Sequence, residues 1–189
     1  MSHVSCLLQS ETGALIIHTK IVLEAAEQLA NHEDCLQLFS KSDGLFTKDT
    51  WNCEIVDELL GPAGSSLDNV ILSRNTSKIS MPELEHILKR KGINTIFLMG
   101  LLSDQSILTT ASEASLIFPE DDMSIFVISD GCATDDEANH EGVMQLSLPF
   151  LGVNVMKCSD AEKILLNGGK KKKGYWFWHH ILKLIFIRM

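Results

Sequence analysis

The chain has 189 residues, of which 45% are hydrophobic and 22% charged, and its formal net charge is −9. This length allows one domain with a full hydrophobic core, and the composition is ordinary for a globular protein. Residues 168–189 carry six basic and no acidic residues, so residues 1–167 carry −9 − 6 = −15. An acidic body argues against nucleic acid as a partner, because phosphate binding requires a basic surface.

The five cysteines are scattered along the chain, and no two of them form a CxxC pair. An odd number of cysteines without this spacing argues against a disulfide framework and against a structural zinc site. The histidines also lack metal-ligand spacing, so we expect no metal and no cofactor. The scattered cysteines indicate a reducing, cytoplasmic location. The amino end shows no basic region followed by an apolar run, so we expect no secretory signal.

The first half of the chain alternates between apolar runs and helical patterns. Residues 13–19 predict a buried strand, and a helix is expected near 20–31. A helix over 50–60, a strand at 70–72 and a capped helix at 81–91 follow.

The second half continues this alternation. A strand at 96–99 leads into a helix, and a strand at 124–129, a helix at 135–147 and a strand at 152–156 follow. A last short helix begins near residue 159. Strands that are apolar throughout and are separated by helices predict a three-layer α/β fold, with a mostly parallel sheet and helices on both faces.

The stretch from Asn94 to Thr110 is where we expect a ligand to bind. In an open parallel sheet, the carboxyl ends of strands and the amino ends of helices converge at such a turn. Ser106, at the start of the helix, is the residue expected to hold the chemistry. The commoner use of a serine here is to cap the helix. Asp104 is either a base or an acid that complements the helix dipole.

Two blocks of sequence resemble the isochorismatase-like, or cysteine hydrolase, superfamily. From residue 92, Gly-Ile-Asn-Thr-Ile-Phe-Leu-Met-Gly-Leu-Leu-Ser-Asp-Gln-Ser-Ile-Leu-Thr-Thr-Ala-Ser-Glu-Ala stands where the family has a strand, a glycine, a polar pair, the nucleophilic cysteine and a helix. From residue 126, Phe-Val-Ile-Ser-Asp-Gly-Cys-Ala stands where the family has a strand that ends in aspartate. His140 matches a histidine common in the following helix. The resemblance covers residues 13–156 and implies a Rossmann-like fold and a homo-oligomer.

The resemblance also implies three catalytic residues: an aspartate after the first strand, a lysine after the third strand, and the cysteine. The cysteine position falls on Ser106 and the lysine position on Ser73. The strand at 13–19 matches the second strand of the family, because Trp51 follows at the expected distance. The first strand, with its aspartate, is then missing from the chain. If residues 13–19 are instead the first strand, His18 stands near the place of the aspartate.

An oxyanion hole made by the backbone N–H groups of Leu102 and Ser106 is a further implication of the resemblance, with a cis peptide bond between Leu101 and Leu102. A serine hydroxyl is a weaker nucleophile than a thiolate and needs an adjacent base. We therefore expect a catalytically inactive or impaired protein whose N–H groups still bind a small carbonyl ligand.

Three other interpretations remain open. In the first, the chain is an active hydrolase of amides or vinyl ethers in which Ser106 attacks. In the second, it is a non-catalytic interaction subunit. In the third, Cys132 is a substitute nucleophile, although packing is the expected role of this thiol.

Residues 168–189 do not fit the family pattern, and we expect the domain to end at residue 167. Four lysines at 170–173 precede an aromatic and aliphatic run that is too short to span a bilayer. The basic and aromatic character of 170–189 suits an anchor at the surface of an anionic membrane. The alternative is a tail without a selected function.

Overall fold

The structure is a computed structural model that describes residues 15–22, 48–51, 54, 70–73, 82–118, 123–167 and 184–188. In this part of the chain one parallel sheet is formed by Leu15–Ile21 (β1), Val70–Ser73 (β2), Thr95–Leu101 (β3), Ser124–Ala133 (β4), Asn154–Met156 (β5) and Leu184–Arg188 (β6). The order of the strands across the sheet is β2-β1-β6-β3-β4-β5. Every neighbouring pair is parallel, which confirms the predicted α/β class.

The described helices are Pro82–Lys91 (α1), Leu108–Ile117 (α2), Glu137–Gly142 (α3), Leu148–Phe150 (α4) and Cys158–Asn167 (α5). A π-helical turn, Ser103–Ile107, leads into α2, and a second one, Val143–Ser147, joins α3 to α4. No helix within the described ranges is both long enough and apolar enough to cross a membrane. The helices expected near 20–31 and over 50–60 lie almost entirely outside the described residues.

Buried side chains form two clusters, one on each face of the sheet. Ile17, Ile96 and Leu98 belong to the larger cluster, to which α1, α2 and α4 also contribute. Ile16, Phe97 and Met99 belong to the smaller cluster, together with Ala161 of α5. Neighbouring residues of β1 and β3 thus point to opposite faces, as the pleat of a strand requires. Both faces are apolar, which explains why these strands are continuous apolar runs.

Strand β4 is longer than its sequence predicted, because it continues from Ser129 through Asp130, Gly131 and Cys132 to Ala133. These residues resemble a loop in composition. Their extended conformation comes from pairing with β3, where Gly100 lies opposite Cys132 and Leu101 opposite Ala133, beyond a shift in register. The carboxyl ends of β3 and β4 therefore run side by side at the expected ligand edge.

The strand near the centre of the sheet comes from the carboxyl-terminal part of the chain. Strand β6 pairs with β1 on one side and with β3 on the other. The boundary drawn at residue 167 therefore leaves out a strand of the sheet. The physical reason is that Leu184-Ile-Phe-Ile187 is a continuous apolar run of the kind found in strands covered on both faces. Residues 168–183 lie outside the described part of the chain.

Candidate functional site

The turn after β3 has the backbone conformation that the resemblance to the superfamily implied. Gly100 has a φ of 133°, a conformation that is accessible to glycine and strained for other residues. The peptide bond between Leu101 and Leu102 is cis, as expected. Leu102 is extended and precedes the π-helical turn. The chain thus leaves β3 and enters a helix within a few residues.

Ser106 lies inside the π-helical turn and is 5% exposed. It does not cap a helix, because Leu102 is the residue before the π-helical turn and Ile107 is the residue before α2, so that part of the expectation was wrong. The carbonyl oxygen of Leu102 accepts hydrogen bonds from the N–H groups of Gln105 (3.2 Å) and Ile107 (3.1 Å). These two bonds flank Ser106, whose own N–H is not bonded to that carbonyl.

The hydroxyl of Ser106 is not hydrogen-bonded to a base in the described residues. No hydrogen bond there joins it to a carboxylate, an imidazole or an ammonium group. The lysine position, Ser73, is the last residue of β2, and two strands lie between β2 and β3. Three strand spacings amount to roughly 14 Å, a distance that only a long side chain could bridge. His18, the alternative to the aspartate, is buried in β1.

His140 bonds to a serine that sequence reasoning missed. Its Nδ1 lies 2.9 Å from the hydroxyl oxygen of Ser103. Ser103 is fully buried, at 0% exposure. The bond links α3 to the turn that carries Ser106. The match of His140 to a histidine of the superfamily was the available signal, although it did not indicate which residue the imidazole would contact.

Asp104 is hydrogen-bonded to the residue that follows the neighbouring strand, and no hydrogen bond in the described residues joins its carboxylate to Ser106. The hydroxyl of Thr134, directly after β4, donates to Oδ1 of Asp104 at 2.7 Å. The carboxylate also lines a shallow cleft of about 390 Å³, together with residues of α3 and the second π-helical turn such as Asn139 and Val143. Its place in the first turn fits the interpretation of a helix-start acid.

Cys132 is an inert thiol in this environment. Burial raises its pKa from an ordinary 9.0 to about 12, although a hydrogen bond with the backbone of Gly100 acts in the opposite direction. The thiolate is the nucleophilic form of cysteine, and it is scarce when the pKa is this high. Cys132 packs against both core clusters. These observations favour packing over a role as a substitute nucleophile.

Asp130 stabilises a helix start. Its Oδ1 accepts a hydrogen bond from the backbone N–H of Cys158, the first residue of α5, at 2.8 Å. Among the described residues, no group of three or more histidine, cysteine, aspartate or glutamate side chains is placed to hold a metal ion.

The parallel sheet, with a turn at Gly100 that leads from β3 to the buried Ser106, defines an α/β protein. A family model described as the isochorismatase domain matches residues 4–153. The chain belongs to the isochorismatase family. No curated protein sequence matches it significantly.

Solved structures of low identity share the fold. An isochorismatase family protein from Desulfovibrio vulgaris has a TM-score of 0.71 and 21% identity, over 87% of this chain and 82% of that one. An isochorismatase-like hydrolase from Alkaliphilus metalliredigens has a TM-score of 0.66 and 19% identity, over 86% and 80%. A pyrazinamidase/nicotinamidase from Streptococcus mutans has a TM-score of 0.62 and 18% identity, over 82% of each chain.

Proposed function

We propose that this isochorismatase-family protein binds a small carbonyl-containing ligand at the turn after β3 and hydrolyses it slowly or not at all. The observation that supports the proposal is the environment of Ser106. It stands at the position of the nucleophilic cysteine, and no base is bonded to it in the described residues. The proposal includes the cytoplasmic location that the cysteine usage and the amino end indicate, and the self-association that the resemblance implies.

The chemistry depends on the difference between a thiol and a hydroxyl. A cysteine can be converted to a thiolate near neutral pH, and the thiolate attacks a carbonyl carbon directly. A serine hydroxyl needs a base that removes its proton during attack. In the described residues, the serine of this turn that is hydrogen-bonded to a histidine is Ser103 and not Ser106. Because Ser103 is fully buried, a substrate cannot reach its hydroxyl in this conformation.

Ligand binding does not require the thiol. Backbone N–H groups that point at an oxygen stabilise it independently of the side chains around them. The proposed pair is the N–H of Leu102 and the N–H of Ser106. The bonds from Gln105 and Ile107 to the carbonyl of Leu102 hold the turn in shape on both sides of Ser106.

The test measures ammonia released from primary amides, including nicotinamide and pyrazinamide, by the purified full-length chain. We expect no release above the buffer rate, and Ser106→Ala should change neither that rate nor ligand affinity in calorimetry. Ser115→Ala is the matched control, because it removes a serine hydroxyl from α2, the helix that follows the same turn. Ammonia release that disappears in Ser106→Ala but persists in Ser115→Ala would establish the active hydrolase instead.

An interaction subunit is the second candidate, and it is favoured by an exposed apolar patch. Leu146 and Phe150 are 71% and 91% exposed and border the same hollow. Large exposed apolar side chains that lie together often mark a protein interface. Light scattering should show a smaller assembly for Phe150→Glu, while Leu116→Glu on α2, at 82% exposure, serves as the control. Equal masses for the two variants would remove this patch from the candidates.

A further inference from the structure

Strand β6 occupies the place in the sheet that a first strand occupies in a common doubly wound order. In that order, 3-2-1-4-5-6, the first strand lies between the second and the fourth. The order here is β2-β1-β6-β3-β4-β5. If β1 is the second strand of the fold, as its sequence indicated, then β2 is the third and β3 the fourth. Strand β6 then fills position 1.

The sheet depends on β6 for its continuity. Strands β1 and β2 form one part and β3, β4 and β5 form another, and β6 is the strand that pairs with both. The register joins Leu15 to Ile185 and His18 to Arg188 on one side, and Thr95 to Leu184 on the other. Without β6, the facing edges of β1 and β3 would lose their hydrogen-bond partners. Buried backbone groups without partners are strongly destabilising.

The flanking strands are among the most deeply buried parts of the molecule. On β1, Ile17 is fully buried, and on β3, Ile96, Phe97 and Leu98 are fully buried. An interior edge of this kind cannot be satisfied by water, as a surface edge can. The position between β1 and β3 therefore demands an apolar strand, which the run Leu184-Ile-Phe-Ile187 supplies.

We propose that residues 184–188 take the place of the first strand of the fold, so that a carboxyl-terminal segment of the chain completes the sheet. These residues serve inside the sheet and are not an anchor on a lipid surface. A lipid anchor needs its apolar residues free to enter the membrane. A strand with partners on both edges meets that need only if it leaves the sheet.

The replacement also changes the site. The family aspartate follows the first strand, and the residue at the matching end of β6 is Arg188, a basic residue in register with Met99. Met99 directly precedes Gly100 and the turn that carries Ser106. A sheet completed in this way has Arg188 and not a carboxylate at that strand end, which agrees with the absence of a base hydrogen-bonded to Ser106 among the described residues.

Hydrogen–deuterium exchange of the full-length chain tests the proposal. Residues 184–188 should exchange as slowly as the fully buried Ile96–Leu98 of β3. Phe186→Pro removes an N–H from the middle of the strand. It should accelerate exchange of residues 15–18 and 95–99 by about tenfold or more. Met189→Pro, one residue beyond the described bounds of β6, is the matched control and should leave exchange of both segments unchanged.

The proposal is overturned if residues 184–188 of the unmodified chain exchange within seconds while Ile96–Leu98 stay protected. This outcome does not require any variant to fold. Flotation with vesicles of phosphatidylcholine and phosphatidylserine is an independent test. The proposal expects the same flotation for the unmodified chain and for Ile185→Ser. Flotation that is lost in Ile185→Ser would assign the segment to the membrane and contradict the proposal.

Discussion

The hydroxyl oxygen of Ser103 and Nδ1 of His140 lie 2.9 Å apart, although 37 residues separate them along the chain. The contact fastens α3 to the turn after β3, three residues before Ser106. It places the imidazole on a serine that the solvent does not reach. His140 is therefore in a position to hold the turn in shape, and the hydrogen bond of its Nδ1 is made with Ser103 and not with Ser106.

Removing this contact should destabilise the protein. We expect Ser103→Ala and His140→Ala each to lower the free energy of unfolding by about 1 kcal/mol, the usual net value of one hydrogen bond. Urea denaturation of both variants and of the double variant gives the coupling, expected at about 0.5–1.5 kcal/mol. His86→Ala, an exposed histidine of α1, is the control, with a change below about 0.5 kcal/mol. Strictly additive effects would show that the two side chains do not interact.

The bond from Thr134 to Asp104 should contribute a similar amount. Thr134→Val removes the hydroxyl but keeps the shape of the side chain, so the carboxylate loses its 2.7 Å donor. Because the pair is only part-buried, we expect a loss of about 1 kcal/mol in urea denaturation at pH 7. Thr134→Ser retains the hydroxyl and should be close to the unmodified chain. Equal losses for valine and serine would mean that the methyl group matters and the hydrogen bond does not.

The pKa of Cys132 predicts a loss of stability at alkaline pH. The folded state raises this pKa from 9.0 to about 12, so above pH 9 the unfolded chain releases the proton while the folded chain keeps it. The unfolded state then binds fewer protons, and the free energy of unfolding falls as the pH rises from 9 towards 12. The stability that protonated Cys132 contributes is fully present below pH 9.

Denaturation of the unmodified chain and of Cys132→Ala between pH 8 and about 10.5 measures this effect. The difference between their free energies of unfolding removes the contributions of other groups that titrate at alkaline pH. We expect the stability advantage of the unmodified chain to shrink with rising pH. In the folded chain, iodoacetamide should also modify Cys132 more slowly than Cys158, which is the less buried thiol. A difference in stability that is constant over this pH range would show that the thiol titrates alike in both states.

The sequence was sufficient for the class of fold and for the location of the turn. Solid apolar runs at β3 and β4, and the periodic pattern of α1, depend on neighbours along the chain, and the structure confirms both strands and the helix. The predicted cap at residue 80 lies outside the described residues. The fourth strand was still too short in the prediction. Asp130 to Ala133 are polar or small, and they become a strand because Gly100 and Leu101 lie beside them.

Pairing across the sheet was decided only in the tertiary structure. Composition alone made residues 184–188 look like a tail, yet their partners include Thr95, 89 residues before Leu184. Ser103 and His140 are a second pair of this kind. Periodicity and propensity describe how a segment lies relative to its own neighbours along the chain. The partner of a strand edge or of a buried hydroxyl depends on which polar groups would otherwise be left without a hydrogen bond after packing. The sequence therefore predicted the turn that carries Ser106, while the tertiary structure determined which residues lie next to that turn.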